Sequence, residues 1–83
     1  MSKWLRCQVD RGMFSNESVV TYPTTGEPTI SVFVPIDTVR GEPGTIGKVK
    51  VQVMHYGETP VAILPTCYSE SVPVSVDDLS DAP

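Results

Sequence analysis

Lys48-Val49-Lys50-Val51-Gln52-Val53-Met54 places valine at every second position and a polar or flexible side chain at the others. That is the period of a strand with one face on a core and the other in water. Valine is stiff at χ1 and packs well on a pleated surface, so residue type and spacing agree. Outward from this run the same period returns. Leu5, Cys7 and Val9 alternate with Trp4, Arg6, Gln8 and Asp10; Ser18 to Tyr22 forms a further strand; Ile30, Val32 and Val34 alternate with Ser31 and Phe33. Val61-Ala62-Ile63-Leu64 reads as a strand buried on both faces, or one crossing the centre of a barrel. Val72, Val74 and Val76 make a last strand, an edge or closing one because Pro73 has no N–H for a ladder.

Composition supports the pattern. Thirteen Val, four Ile and eight Thr stand against two Ala and three Leu in a chain of 83 residues. The longest run free of Gly and Pro is residues 1–11, and no helical i, i+3, i+4 stripe appears. Six short strands with turn residues between them predict an all-β fold. The expected form is a small five- to six-stranded antiparallel barrel, SH3-like, with an OB-like barrel or small sandwich as alternatives. The run Val74-Ser75-Val76-Asp77-Asp78-Leu79 resembles the way many SH3-like barrels end. Residues 1–76 read as a single domain and 77–83 as a short acidic, frayed tail onto which Leu79 can dock. Thr24 to Pro28 reads as a hairpin turn, and 36–47, with three Gly and one Pro, as the longest loop. No internal repeat is visible.

The net charge is −4, but it is unevenly spread: residues 1–50 carry six basic and five acidic groups, residues 51–83 none and five. The chain as a whole lacks the basic excess of a nucleic-acid binder, while a local basic patch is open to it. No apolar run of secretory or membrane-spanning length occurs, so the chain reads as cytoplasmic, with Cys7 and Cys67 as free thiols. Two Cys and one His cannot make a four-ligand metal site, and no metal or other cofactor is expected. Asp77, Asp78 and Asp81 lack the ligand spacing of a calcium loop, and Gly41-Glu42-Pro43-Gly44 lacks the Lys and following helix of a phosphate loop. Asn16-Glu17-Ser18 is a chance glycosylation sequon in a chain read as cytoplasmic.

Catalysis would have to rest on His55 with Cys7 or Cys67, without an orienting third group or a helix N-terminus to activate a thiol. The chain is therefore expected to be non-enzymatic. Met13 and Phe14 sit between turn residues, where a connecting loop is ordinarily polar. A thin core favours their folding back as a cap; the alternative is a contact patch. Trp4, Phe33, Met54 and Tyr56 share the phase of Arg6, Lys48 and Lys50, opposite the valine rows. Aromatic rings among cations describe a protein-contact surface, or, as the runner-up, a stacking platform for RNA or DNA. The expected function is a binding or assembly module. Trp4, Arg6, Met13, Phe14, Phe33, Lys48, Lys50 and Tyr56 would meet another protein or a second copy of the chain. No membrane or small-molecule substrate is expected.

Overall fold

The computed structural model describes residues 2–22, 30–66 and 71–83. They form one antiparallel sheet, strongly curled into a half-barrel. The strands are β1 (Ser2–Arg11), β2 (Glu17–Tyr22), β3 (Ile30–Pro35), β4 (Val39–Arg40), β5 (Thr45–Tyr56), β6 (Thr59–Ile63), β7 (Ser71–Pro73) and β8 (Leu79–Ser80). Short 3₁₀ turns at Ile36–Thr38 and Val76–Asp78 precede β4 and β8. The main path runs β3-β2-β1-β5-β6-β7, with β4 on β5 and β8 on β1. β7 lies at one end of that path, the edge position that Pro73 requires.

The alternation fixes the inner face. Leu5, Cys7 and Val9 on β1 and Val49, Val51 and Val53 on β5 are buried in the core with Val20, Val34, Ala62 and Val72. Val61 and Ile63 are only half-buried, while Ala62 and Leu64 are fully buried. The run 61–64 thus alternates like the other strands, because an open half-barrel leaves its convex side to water. The turn expected at Thr24–Pro28 and Cys67 lie outside the described residues.

Residues 36–47 are not one long loop. They hold a 3₁₀ turn, β4 and the first residues of β5, leaving only 41–44 as a connection. Glycine suits this by its small size. A Cβ on Gly47 would stand 2.3 Å from the Arg40 carbonyl oxygen, so only glycine lets β4 cross so close to β5. Residues 77–83 do not simply fray either. Leu79 pairs with Leu5 and Ser80 with Trp4, Asp81 ion-pairs with Lys3, and Lys48 Nζ donates to Ser80 Oγ at 3.1 Å.

The sheet contains an internal repeat that inspection of the sequence misses. β1 through β4 and β5 through β8 follow the same course: long strand, hairpin partner, third strand, 3₁₀ turn, two-residue strand. Leu5 pairs with Val49 and Leu79; Val49 pairs with Leu5 and Val39. Val9 pairs with Val20 as Val53 pairs with Ala62, and Val20 with Val32 as Ala62 with Val72. Each half sends its last strand to the long strand of the other. The core obeys the same two-fold relation: Leu5 matches Val49, Cys7 Val51, Val9 Val53, Tyr22 Leu64, Val34 Val74, and Val39 the half-buried Leu79.

Candidate partner-binding face

On the convex side the pairing register builds a compact cationic group. Arg6 stands opposite Lys48 across β1 and β5, and Lys48 opposite Arg40 across β5 and β4. The next row holds Ser80, Trp4 and Lys50. The Arg40 guanidinium reaches across to lie 5.2 Å from the centroid of the Trp4 ring, a cation–π contact. Lys48 is partly tied down by Ser80 Oγ and the Ala82 carbonyl. Among the described residues the ion pair is Lys3 with Asp81; Arg6, Arg40, Lys48 and Lys50 have no carboxylate partner. Like charges directly opposite in a ladder are unfavourable, so this row stands against stability. It sits, moreover, on a chain whose net charge is −4.

The structure thus brings together Trp4, Arg6, Lys48 and Lys50, and adds Arg40. It does not bring the aromatic residues into one patch. Phe33 aligns with Val19 and Asp10 at the β3 end of the sheet, whereas Tyr56 aligns with Thr59 at the far hairpin of β5 and β6. The two rings lie toward opposite ends of a molecule whose longest dimension is 38 Å. Parity along a strand assigns a face, but only the pairing order decides how far apart two residues of that face are. Met13 and Phe14 do not fold back as a cap either. At 81% and 66% exposure they project from the β1–β2 hairpin. Phe14 and the exposed Ile36 line a shallow cavity of about 290 Å³ with Arg11, Ser18 and Pro43. Val9, Val20 and Val34 are buried although the Met13 and Phe14 side chains stay in water.

The potential nucleophile Cys7 is fully buried, and burial pushes its thiol up to about 12. That is the reverse of what a reactive thiolate needs. His55 lies exposed on β5 opposite Pro60, well removed in register from Cys7, which pairs with Gly47. No group of three metal-ligating side chains exists among the described residues. None of their helices is long and apolar enough to cross a membrane.

Tyr22 is the one buried phenol of the described core. Its hydroxyl accepts the Ser75 N–H at 3.0 Å and donates to the Asp78 carboxylate at 2.9 Å. Burial raises its pKa, the Ser75 bond opposes that shift, and the Asp78 carboxylate adds to it. Comparison with protein-family models, with curated proteins and with solved structures yields no match to this chain. Fold and site together define a small barrel-like all-β protein with an aromatic-centred cationic face.

Proposed function

We propose that this chain is a non-enzymatic binding module that holds a protein partner on the convex face centred on Trp4. The observation that carries the reading is the convergence of Arg6, Arg40, Lys48 and Lys50 around one aromatic ring without carboxylate partners among the described residues. An unneutralised row of cations costs stability in the free molecule. A partner surface bearing carboxylates relieves it and desolvates the ring, giving an aromatic centre with a charged rim. The partner is another protein or a second copy of this chain, held on the curved sheet face of a barrel read as SH3-like. Phe33, Tyr56 and the Met13–Phe14 hairpin then serve as outlying contacts at the two ends. A free core thiol at Cys7 fits a cytoplasmic setting.

Trp4 is the single tryptophan, so its emission reports directly on this face. Titration with a poly-glutamate peptide is expected to shift that emission saturably. Reversing Arg6 and Lys50 to Glu should weaken the response at least about tenfold, since two attractive contacts become repulsive. Arg40 covers one side of the ring, which disfavours base stacking. Tight oligonucleotide binding that falls roughly ten- to a hundredfold between 50 and 200 mM salt would reassign the face to nucleic acid. Indifference of Trp4 to both probes would overturn the proposal.

A further inference from the structure

Each long strand changes partner midway, and the two changes are finished differently. β1 leaves β8 after Leu5 and takes up β2 from Gln8; β5 leaves β4 after Val49 and takes up β6 from Gln52. At the β1 change, Tyr22 fills the space between the end of β2 and the second 3₁₀ turn, bridging to Ser75 and Asp78. At the equivalent β5 change, Leu64 replaces Tyr22, Pro35 replaces Ser75 and Thr38 replaces Asp78. Leu64 has no phenol to extend, Pro35 has no N–H to satisfy, and the Thr38 hydroxyl turns back to the Pro35 carbonyl at 2.6 Å. A cavity of about 290 Å³ remains, lined by Thr38, Lys50, Val51, Ile63, Leu64 and Thr66.

We propose that this cavity receives an aromatic side chain of the protein partner, one that carries or adjoins a carboxylate. The inference rests on the protein-binding reading above, because Lys50 belongs both to the cationic face and to the cavity wall. Three observations carry it. The volume lies at the lower limit of ligand sites, right for a single side chain and small for a cofactor. The residue that matches the wall residue Leu64 in the other half is Tyr22, so the equivalent backbone frame is one that accommodates a phenol ring. The exposed Lys50 has no carboxylate partner among the described residues and supplies the complementary charge. The ring seats against the half-buried Ile63, above the buried Val51 and Leu64, and its acidic group faces the Lys50 ammonium.

The probe is 4-hydroxyphenylacetate, which joins a phenol ring to a carboxylate, titrated into the full chain while backbone amide resonances are followed. Saturable shifts are expected at Thr38, Lys50, Val51, Ile63 and Leu64. Lys50→Met should weaken binding about fivefold, the scale of one exposed charge pair, and its exposed position keeps the fold out of question. Leu64→Tyr lets the chain fill its own cavity as Tyr22 does, and should abolish the shifts with strand content retained. Probe binding that is absent, or unchanged by Lys50→Met, overturns the proposal; so does unchanged binding by a folded Leu64→Tyr variant. The two failures are distinguishable. If poly-glutamate moves Trp4 and the probe does not bind, the cavity assignment falls and the face stands. If the probe binds with the expected variant pattern and no anionic peptide does, the cavity is a site for a free aryl carboxylate, and both the protein-binding reading and the partner side chain assigned to the cavity fall.

Discussion

Tyr22 shows how one residue's surroundings decide both its chemistry and its contribution. Its hydroxyl meets a backbone donor at the entrance of the second 3₁₀ turn and a carboxylate that accepts its proton. Tyr22→Phe leaves the Ser75 N–H without this acceptor and is expected to cost about 1–3 kcal/mol in urea unfolding. The other half meets the same geometry with Pro35, which has no N–H. Ser75→Pro, at a φ of −83° close to proline's range, also removes the Oγ that accepts the Asp77 N–H, so it carries its own cost. That cost should be smaller in the Tyr22→Phe background, where no N–H is left to orphan, than in the parent. Simple additivity of the two changes would refute this account. Cys7 makes the corresponding statement about pH. The folded chain keeps its thiol proton up to about 12, while the unfolded chain releases it near 9.0. Below about pH 9 both states are protonated and the group adds no pH dependence; between about 9 and about 12 unfolding releases a proton, so stability falls as pH rises. Tyr22, also raised, acts in the same direction. Replacing Cys7 by Val, the residue type at the equivalent position Val51, should flatten this alkaline limb. Urea midpoints measured from neutral pH to about pH 11 test it, and a limb as steep as the parent's would count against the thiol as its source.

At the level of elements, the two-residue strand β4 depends on a single close approach. Gly47→Ala drives a methyl group into the Arg40 carbonyl, a backbone atom that cannot rotate away, and should cost about 2–4 kcal/mol. Gly57, at a φ of +64° in the β5–β6 turn, has open space around its Cβ position. Its replacement by Ala should cost only the left-handed strain of about 1–2 kcal/mol. Thermal melts that rank the two the other way would overturn this reading of β4. The contrast also explains what was readable in the sequence. The long strands declare themselves, because Val49, Val51 and Val53 give alternation enough repeats to be seen. Val39 and Arg40 are too few to alternate, and Gly41, Gly44 and Gly47 read as loop when one of them is there for close packing. Arg40 was missed as part of the site for that reason. Trp4, Arg6, Lys48 and Lys50 were legible because they share one phase on the two strands that pair most extensively. Phe33 and Tyr56 share that phase too, but distance across a sheet depends on strand order, which alternation does not encode.

For the whole molecule the two-fold relation is the governing fact, and it was hidden by the connections. The step between equivalent residues shortens from 44 (Leu5 to Val49) to 42 (Val20 to Ala62) to 40 (Val34 to Val74), as the second half closes its turns with fewer residues. No single period therefore lines up the halves. What survives is the chemical kind at each core position, since apolar volume is what burial selects. The relation has a mechanical consequence. The 41–44 connection joins β4 to β5 just where, in the other half, β8 lies beside the beginning of β1. Ser80 pairs with Trp4 and Asp81 ion-pairs with Lys3, so the segments around 2–4 and 80–83 are neighbours. A permuted chain that links Pro83 to Ser2 through a short Gly-Ser segment and opens between Glu42 and Pro43 should keep every strand pairing. It gives up the hydrogen bonds from Thr45 to the Glu42 carbonyl, a loss of about 1–2 kcal/mol. Its circular dichroism should match the parent, with one cooperative unfolding transition at a slightly lower urea midpoint. Opening the same circularised chain between Lys50 and Val51 instead cuts the β1–β5 ladder beside the Leu5–Val49 pair that marks the pseudo-axis, and should abolish that transition. Equal folding of both permutants, or failure of the first, would show that the halves are not joined through the exchange of β4 and β8.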